Sequence, residues 1–549
     1  MYNLYLRKQI VDVWRMKHQK TSTGSIRHTG RRAITFQRLK LRKPRYTRMP
    51  AVCMGLTHSD KAFRIASLGK QLRDREISAV ELASHFLQRI QRTNTDLNSF
   101  IFVDTAKVLE QAILIDDEFS RGIDRGPLAG IPIAVKDNIC TKDFATTAGS
   151  KSLEAYYPSY DASVVRTLRQ AGAIIIGKTN LDEFGMGSTS ESSAYKFTRN
   201  PWDQTRTPGG SSGGSAVAVA AQQCVASLGS DTGGSVRQPA SHCGVIGFKP
   251  TYGVLSRDGL ISYASSFDSI GTLTSCVQDS AILFDALTSE IGDNDLTRMK
   301  VISSASVLQE SGCMPLKGLR FGIVKEALES GIEDDILSSF NDSVELMRRL
   351  GAHVEDVSCA SFINGLPAYY ILAVSEASSN LARYDGVRGG SSLETEVGPL
   401  YSSTRAQLLG DEVKRRILMG TYTLSAGYAD AYYERAHKVR QQVSSELQSK
   451  LRNYDALLTP VATTVAPKLT ATINNPLQMY AGDAMTVNVN LSGLPALVVR
   501  GRHSTSGTSL PIGLQLIGRA FDDRALLNIG SVFERHSSEY FDIRRFPEV

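Results

Sequence analysis

The chain has 549 residues, 42% hydrophobic and 21% charged, an ordinary globular composition with apolar residues enough for a large core. The net charge is +7, yet residues 1–50 hold fourteen Lys/Arg against the single acid Asp12, a segment charge of +13 that leaves residues 51–549 at −6. No apolar run reaches the roughly 18 residues of a membrane span, and seven scattered cysteines without a C-x-x-C pair argue against zinc sites and a disulfide framework.

An Arg-rich, acid-poor leader with interspersed Ser and Thr predicts a mitochondrial presequence over residues 1–50, with the body beginning at residue 51. The same composition also fits a nucleic-acid-binding tail, or upstream sequence that is not translated, with Met49 or Met54 as the start. Beyond it, "ISAVELASHFLQRI" predicts a helix opened by a capping box, Ser78 with Glu81, and stapled by Ile77 and Leu82. "IPIAV" predicts a buried strand leading into Lys136. "DASVVRTLRQAGAIIIGKTN" predicts helix, glycine turn and a strand at Ala173–Ile176.

The stretch "TPGGSSGGSAVAVAA", residues 207–221, has several readings. A linker would continue into polar sequence, whereas this one runs into small apolar residues, and a P-loop would need a following Lys. G-x-S-x-G would select Ser212, with His503 or His536 completing a hydrolase triad, but the preceding "NPWDQTRTP" is no buried strand. Ala216–Leu228 predicts a buried small-residue helix. His242 and Cys243, adjacent in sequence, predict packing roles. Residues 290–317 show weak periodicity and predict a surface connection. Further on, Ile336, Phe340, Val344, Met347 and Leu350 form a helical stripe closed by Gly351, and "YDALLTPVA" and "LPIGLQLIG" predict strands. Helices alternating with short apolar strands predict an α/β fold, one sheet covered by helices on both faces, within a single domain over 51–549.

Three blocks stand in a fixed order: "GIPIAVKDNI" (130–139), the glycine-serine stretch (207–221) and "SLGSDTGGSVRQPASHCGVIGFKPTYG" (227–253). Together they resemble the amidase signature family. The resemblance implies the amidase-signature fold, with a large mixed sheet. It implies a Ser–Ser–Lys triad in which Ser235 is nucleophile, Ser211 a bridging serine after a cis Gly210–Ser211 peptide, and Lys136 the base. The chemistry is coherent: a serine hydroxyl attacks only when a base takes its proton, and burial lowers a lysine's pKa toward neutrality. The turn "DTGGS" can aim the N–H groups of Thr232, Gly233, Gly234 and Ser235 at an oxyanion.

Three C-terminal blocks, "SEASSNLARYDGVR" (375–388), "DEVKRRILMGTYTLSAGYADAYYERAHKVR" (411–440) and "PLQMYAGDAMTVNVNLSGLPAL" (476–497), resemble the A subunits of glutamyl-tRNA(Gln) amidotransferases of the mitochondrial type. That resemblance implies Arg416 and Asp483 as holders of the α-carboxylate and α-amino groups of glutamine, with Tyr369 or Tyr370 beside them. It implies glutamine hydrolysis, with ammonia delivered to a partner B subunit that converts Glu-tRNA(Gln) to Gln-tRNA(Gln). It implies a small C-type or F-type subunit, no cofactor or metal in this chain, ATP and Mg²⁺ used by the assembled complex, no membrane insertion, and the mitochondrial matrix as location. The alternative is a stand-alone amidase acting on small or lipid amides.

Overall fold

A computed structural model describes residues 64–549 except 290–293, 300–313, 330, 394–396, 474 and 542–545, and the side chains of these residues except 397–400. The basic leader, Met49, Met54, Cys53, Cys313 and most of the 290–317 connection lie outside the described residues.

Eleven strands form one sheet: β1 (Phe100–Phe102), β2 (Pro132–Lys136), β3 (Ile174–Thr179), β4 (Ala226–Asp231), β5 (Ile246–Lys249), β6 (Ser269–Thr274), β7 (Arg320–Val324), β8 (His353–Val357), β9 (Ala456–Pro460), β10 (Ala496–Arg500) and β11 (Gly513–Ile517). Their order is β1-β3-β2-β4-β6-β5-β10-β11-β9-β7-β8. The sheet is mixed. β2 runs parallel to β3 and β4, and β7 parallel to β8 and β9, while β4, β6, β5, β10, β11 and β9 are successively antiparallel. Every residue of β2, β3, β4, β6, β10 and β11 is buried, so helices cover the sheet on both faces, as strands without a polar alternation require.

The helices follow their sequence signals. In Ala79–Leu97 the Ser78 hydroxyl accepts from Glu81 N–H at 3.1 Å and the Glu81 carboxylate accepts from Ser78 N–H at 2.9 Å, a cap contributing about 1 kcal/mol. In Asp334–Arg349, Ile336, Phe340, Val344 and Met347 are buried on one face, and Gly351 beyond the helix takes φ +95° before β8 begins.

Two expectations need correction. β3 begins one residue later than predicted and runs on past Ile176 through Lys178 and Thr179, both fully buried. The apolar pattern ends before the strand does, because Lys178 is paired instead of exposed: it lies 3.3 Å from Asp137 and donates to Ile139 O at 2.7 Å and Thr146 Oγ1 at 2.8 Å. Residues 216–228 are not one helix. The helix is Gly213–Ala220, Gln222 turns the chain at φ +55°, and residues from Ala226 form β4. A run of small apolar residues has no period to separate buried helix from buried strand, and pairing with β2 and β6 decides it.

The parallel pairing of β2 with β4 places the carboxyl ends of both strands on one edge of the sheet, where α/β proteins carry their sites. The helix Gly213–Ala220 packs on β4 and starts beside this edge. Its first residues explain the glycines. At Gly214 a Cβ would lie 2.5 Å from Asn180 N and Ser99 O, and nearer still to the Asn180 carbonyl oxygen. At Gly210 it would lie 2.8 Å from Thr189 N and overlap Asp182 Oδ2. Backbone atoms cannot step aside as side chains do, so Gly214→Ala is expected to destabilise the fold by about 3 kcal/mol, the upper end for overpacking. Denaturant unfolding checks this, and an unchanged midpoint would contradict the close approach.

Candidate active site

Lys136, the last residue of β2, is fully buried. Its Nζ donates to Ser211 Oγ at 2.8 Å, Ser212 Oγ at 2.9 Å and Ser230 Oγ at 2.9 Å. Burial pushes its pKa down to about 7, against the carboxylates of Asp182, Asp231 and Asp268, which favour the cation. The Gly210–Ser211 peptide is cis. Ser212 N–H donates to Ser235 O at 3.0 Å, which ties the glycine-serine stretch to the loop after β4. Ser235 is 8% exposed while Lys136, Ser211 and Ser212 are at most 1%, so Ser235 is the member open to the outside. Its Oγ has no hydrogen-bond partner among the described residues.

Ser212 has no hydroxyl to give. It donates to Ser230 O at 3.0 Å and accepts from Lys136 and, at 3.3 Å, from Ser230 N–H. The candidate hydrolase histidines lie elsewhere: His503 packs edge-on against Trp202 at 4.9 Å and His536 bonds the Val532 carbonyl at 2.9 Å. His242 and Cys243 are buried in the helix Arg237–Cys243, and the Cys243 thiol donates to Pro208 O at 3.5 Å, below the glycine-serine stretch.

The loop after β4 is held by Asp231, itself fully buried. Its carboxylate accepts from Arg237 Nε at 3.0 Å and Nη2 at 2.9 Å, from Asn490 Nδ2 at 2.9 Å, and from the backbone N–H of Gly234 at 2.9 Å and Val236 at 3.1 Å. The Arg237 pair holds this carboxyl far below the usual range, so it stays ionised. One consequence corrects the expected oxyanion donors: the Gly234 N–H is committed to Asp231 and is not available. The N–H groups of Thr232, Gly233 and Ser235 have no acceptor among the described residues. Thr232 is oriented by its hydroxyl, which donates to Asp268 at 2.6 Å.

Arg416 does not sit on a solvated helix face. It is 2% exposed on the helix Asp411–Thr423, with its Nε donating to Glu412 at 2.8 Å and its Nη1 to Tyr263 OH at 2.7 Å. The rings of Tyr263, Tyr370 and Tyr480 surround the guanidinium at 5.6, 5.4 and 5.3 Å. Its Nη2 is buried and donates to nothing among the described residues. Asp483, also buried, accepts from Ser188 Oγ at 2.8 Å and Tyr370 OH at 2.6 Å. Burial raises its pKa to about 6, opposed by the Tyr370 and Ser188 bonds and by the charge of Arg416.

The two tyrosines divide their work. Tyr370 touches both charged residues, while Tyr369 packs against Gly233, where a Cβ would come within 2.5 Å of its hydroxyl. Their rings lie 5.2 Å apart, so Tyr369 and Tyr370 link Gly233, two residues before Ser235, to Asp483 and Arg416. Tyr370 OH makes the polar contact with Asp483, and the Tyr369 hydroxyl bonds Tyr263. Asn138, Ser230 and Glu412 lie within the quoted blocks but, like Ser188 and Tyr263, were not singled out, because no local pattern tells which polar residues turn inward to the site. The pair Asp231/Arg237 was within reach: opposite charges six residues apart in a glycine-rich block with no other acid imply a buried ion pair.

The amidase family model matches residues 81–527, and the chain belongs to the amidase family. It is 50% identical to the chloroplastic/mitochondrial glutamyl-tRNA(Gln) amidotransferase A subunit of Oryza sativa subsp. indica, over 89% of this chain and 92% of that one. It is 46% identical to the glutamyl-tRNA(Gln) amidotransferase A subunit of Microcystis aeruginosa, over 86% and 97%. Among solved structures it resembles the glutamyl-tRNA(Gln) amidotransferase A subunit of Thermotoga maritima, with a TM-score of 0.69 and 37% identity over 91% of this chain and 98% of that chain. It also resembles the peptide amidase of Stenotrophomonas maltophilia, with a TM-score of 0.72 and 28% identity over 90% and 99%.

Proposed function

We propose that this chain is the glutamine-hydrolysing A subunit of a glutamyl-tRNA(Gln) amidotransferase, with Ser235 as nucleophile, Ser211 as relay and Lys136 as base. The observation that carries the reading is the fully buried Lys136 amine 2.8 Å from Ser211, in a site that also holds a buried guanidinium and a buried carboxylate. Free glutamine carries one charge of each sign. Its α-carboxylate meets Arg416 Nη2, its α-ammonium meets Asp483, and its side-chain amide reaches Ser235.

Ser235 Oγ attacks the amide carbon as its proton passes to Ser211 Oγ and the Ser211 proton passes to Lys136 Nζ. The oxyanion accepts from the N–H groups of Thr232, Gly233 and Ser235. Lys136 returns the proton through Ser211 to the amide nitrogen, and ammonia leaves. Water then attacks the glutamyl ester, its proton takes the same path, and glutamate is released. The ammonia is used by a B subunit that amidates Glu-tRNA(Gln). ATP and Mg²⁺ belong to that partner's chemistry, and a small C-type or F-type subunit completes the complex. The basic leader directs the chain to the mitochondrial matrix.

The test is substrate range. The assembled complex is expected to hydrolyse glutamine at least about 100-fold better than short aliphatic or long-chain amides, because amides lacking the two charged groups leave Arg416 and Asp483 unpaired. A purified chain that hydrolyses a broad range of amides and ignores glutamine would overturn the proposal in favour of a stand-alone amidase.

A further inference from the structure

Lys136 has three hydroxyl neighbours, and only one of them can be the proton donor. A neutral amine has two N–H groups and one lone pair. For a proton to arrive from Ser211, the lone pair must face Ser211 and the two N–H groups must face the remaining acceptors, the Ser212 and Ser230 hydroxyls and, at 3.3 Å, the Ser230 carbonyl. Ser212 meets this condition by itself, since its own proton goes to Ser230 O at 3.0 Å and its oxygen is left to accept. Ser230 does not. Its hydroxyl lies 2.9 Å from Lys136 Nζ and, free to rotate, would donate to the amine in competition with Ser211.

Asn138, two residues beyond Lys136 and 3% exposed, removes that competition. Its Nδ2 donates to Ser230 Oγ at 2.9 Å, and its backbone is anchored by Ile261 N–H, which donates to Asn138 O at 2.8 Å. Its Oδ1 is buried and accepts nothing among the described residues, so the Ser230 contact is the only polar bond of this side chain. With Asn138 and Lys136 each donating to Ser230 Oγ, both lone pairs of that oxygen are occupied and its proton points away from the amine.

We infer that Asn138 is a positioning residue for the relay, holding Ser230 as an acceptor so that the free electron pair of Lys136 is reserved for Ser211. It touches neither substrate nor reacting atoms. The inference rests on Lys136 being the base of the proposed reaction.

The charged groups facing Lys136 are Asp182 after β3, Asp231 at the end of β4 and Asp268 before β6, all unchanged by substitutions at residue 138. The pH dependence of glutamine hydrolysis by the assembled complex therefore reads residue 138 through Lys136. In the unsubstituted protein kcat is expected to rise with pH and level off above about 7, as the amine becomes neutral, while the titration of Asp483 near 6 enters through KM.

Two variants move this inflection in opposite directions. Asn138→Asp places a carboxylate that accepts the Ser230 proton and favours the lysine cation, so the inflection moves up by about one pH unit. Asn138→Ala frees the Ser230 hydroxyl to donate to the neutral amine, so the inflection moves down and the plateau falls about tenfold, the effect of one misdirected hydrogen bond. KM for glutamine and amidation fed by free ammonium stay at their original values in both. Inflections that stay in place, or shift in the same direction, would overturn the inference. Where the alanine variant does not assemble, the isosteric aspartate variant decides alone: an inflection that stays or moves down is fatal. Lys136→Ala separates this from the underlying reading, since a fully active Lys136→Ala complex removes the base assignment and the inference with it.

Discussion

Ser235→Ala is expected to lower glutamine hydrolysis by at least about 10⁴-fold, the scale for removing a nucleophile from a triad, while leaving amidation from free ammonium intact. The substitution isolates chemistry from folding. Ser235 Oγ holds up no other group among the described residues, and the backbone bond from Ser212 N–H to Ser235 O at 3.0 Å survives it. Ammonium enters downstream of the glutaminase step, so a complex that assembles normally should use it at the original rate. Retention of glutamine hydrolysis would remove Ser235 from the mechanism. Loss of both nitrogen sources would mean that the residue supports the complex instead of the reaction.

Arg416→Lys is expected to lower kcat/KM for glutamine by about 10²-fold, mainly through KM, since hydrogen bonds between buried charged groups are worth about 1.5–3 kcal/mol. Lysine keeps the charge near Glu412 but has no planar fork, so it cannot donate to Glu412 and Tyr263 and still present a free N–H to a carboxylate. Comparison with glutamine α-amide isolates the contact. The unsubstituted enzyme should strongly prefer glutamine, and the variant should lose most of that preference. An unchanged KM would move the carboxylate site elsewhere. The opposite pole has a pH signature. Burial raises the Asp483 pKa to about 6, so its carboxylate is intact above that pH and KM should climb as pH falls through about 6.

Legibility followed the kind of signal each element carries. The Ala79–Leu97 helix was readable from its capping box and the Asp334–Arg349 helix from its stripe, because both are local patterns within a few turns. The small-residue run from Ala216 misled, because β4 is defined by partners about 90 residues before and 45 after it in the sequence. In the site, Lys136, Ser211 and Ser235 stood out by order and spacing across three blocks. The turn "DTGGS" points to the Gly234 N–H as an oxyanion donor, and only the position of the Asp231 carboxylate takes it away.

What the residues determined by themselves was the family, the α/β layering, and which lysine and serines to examine, since each depends on short-range pattern and on motif order. Tertiary structure alone decided the directions of the protons. Ser212, which G-x-S-x-G selects, donates its hydrogen to Ser230 O, and Ser230, within a quoted block but not singled out there, is a third hydroxyl contact of the amine. Hydrogen-bond polarity depends on every neighbour a hydroxyl has. Those neighbours here come from β2, β4 and the start of a helix between them, brought within 3 Å by the parallel pairing of two strands some 90 residues apart.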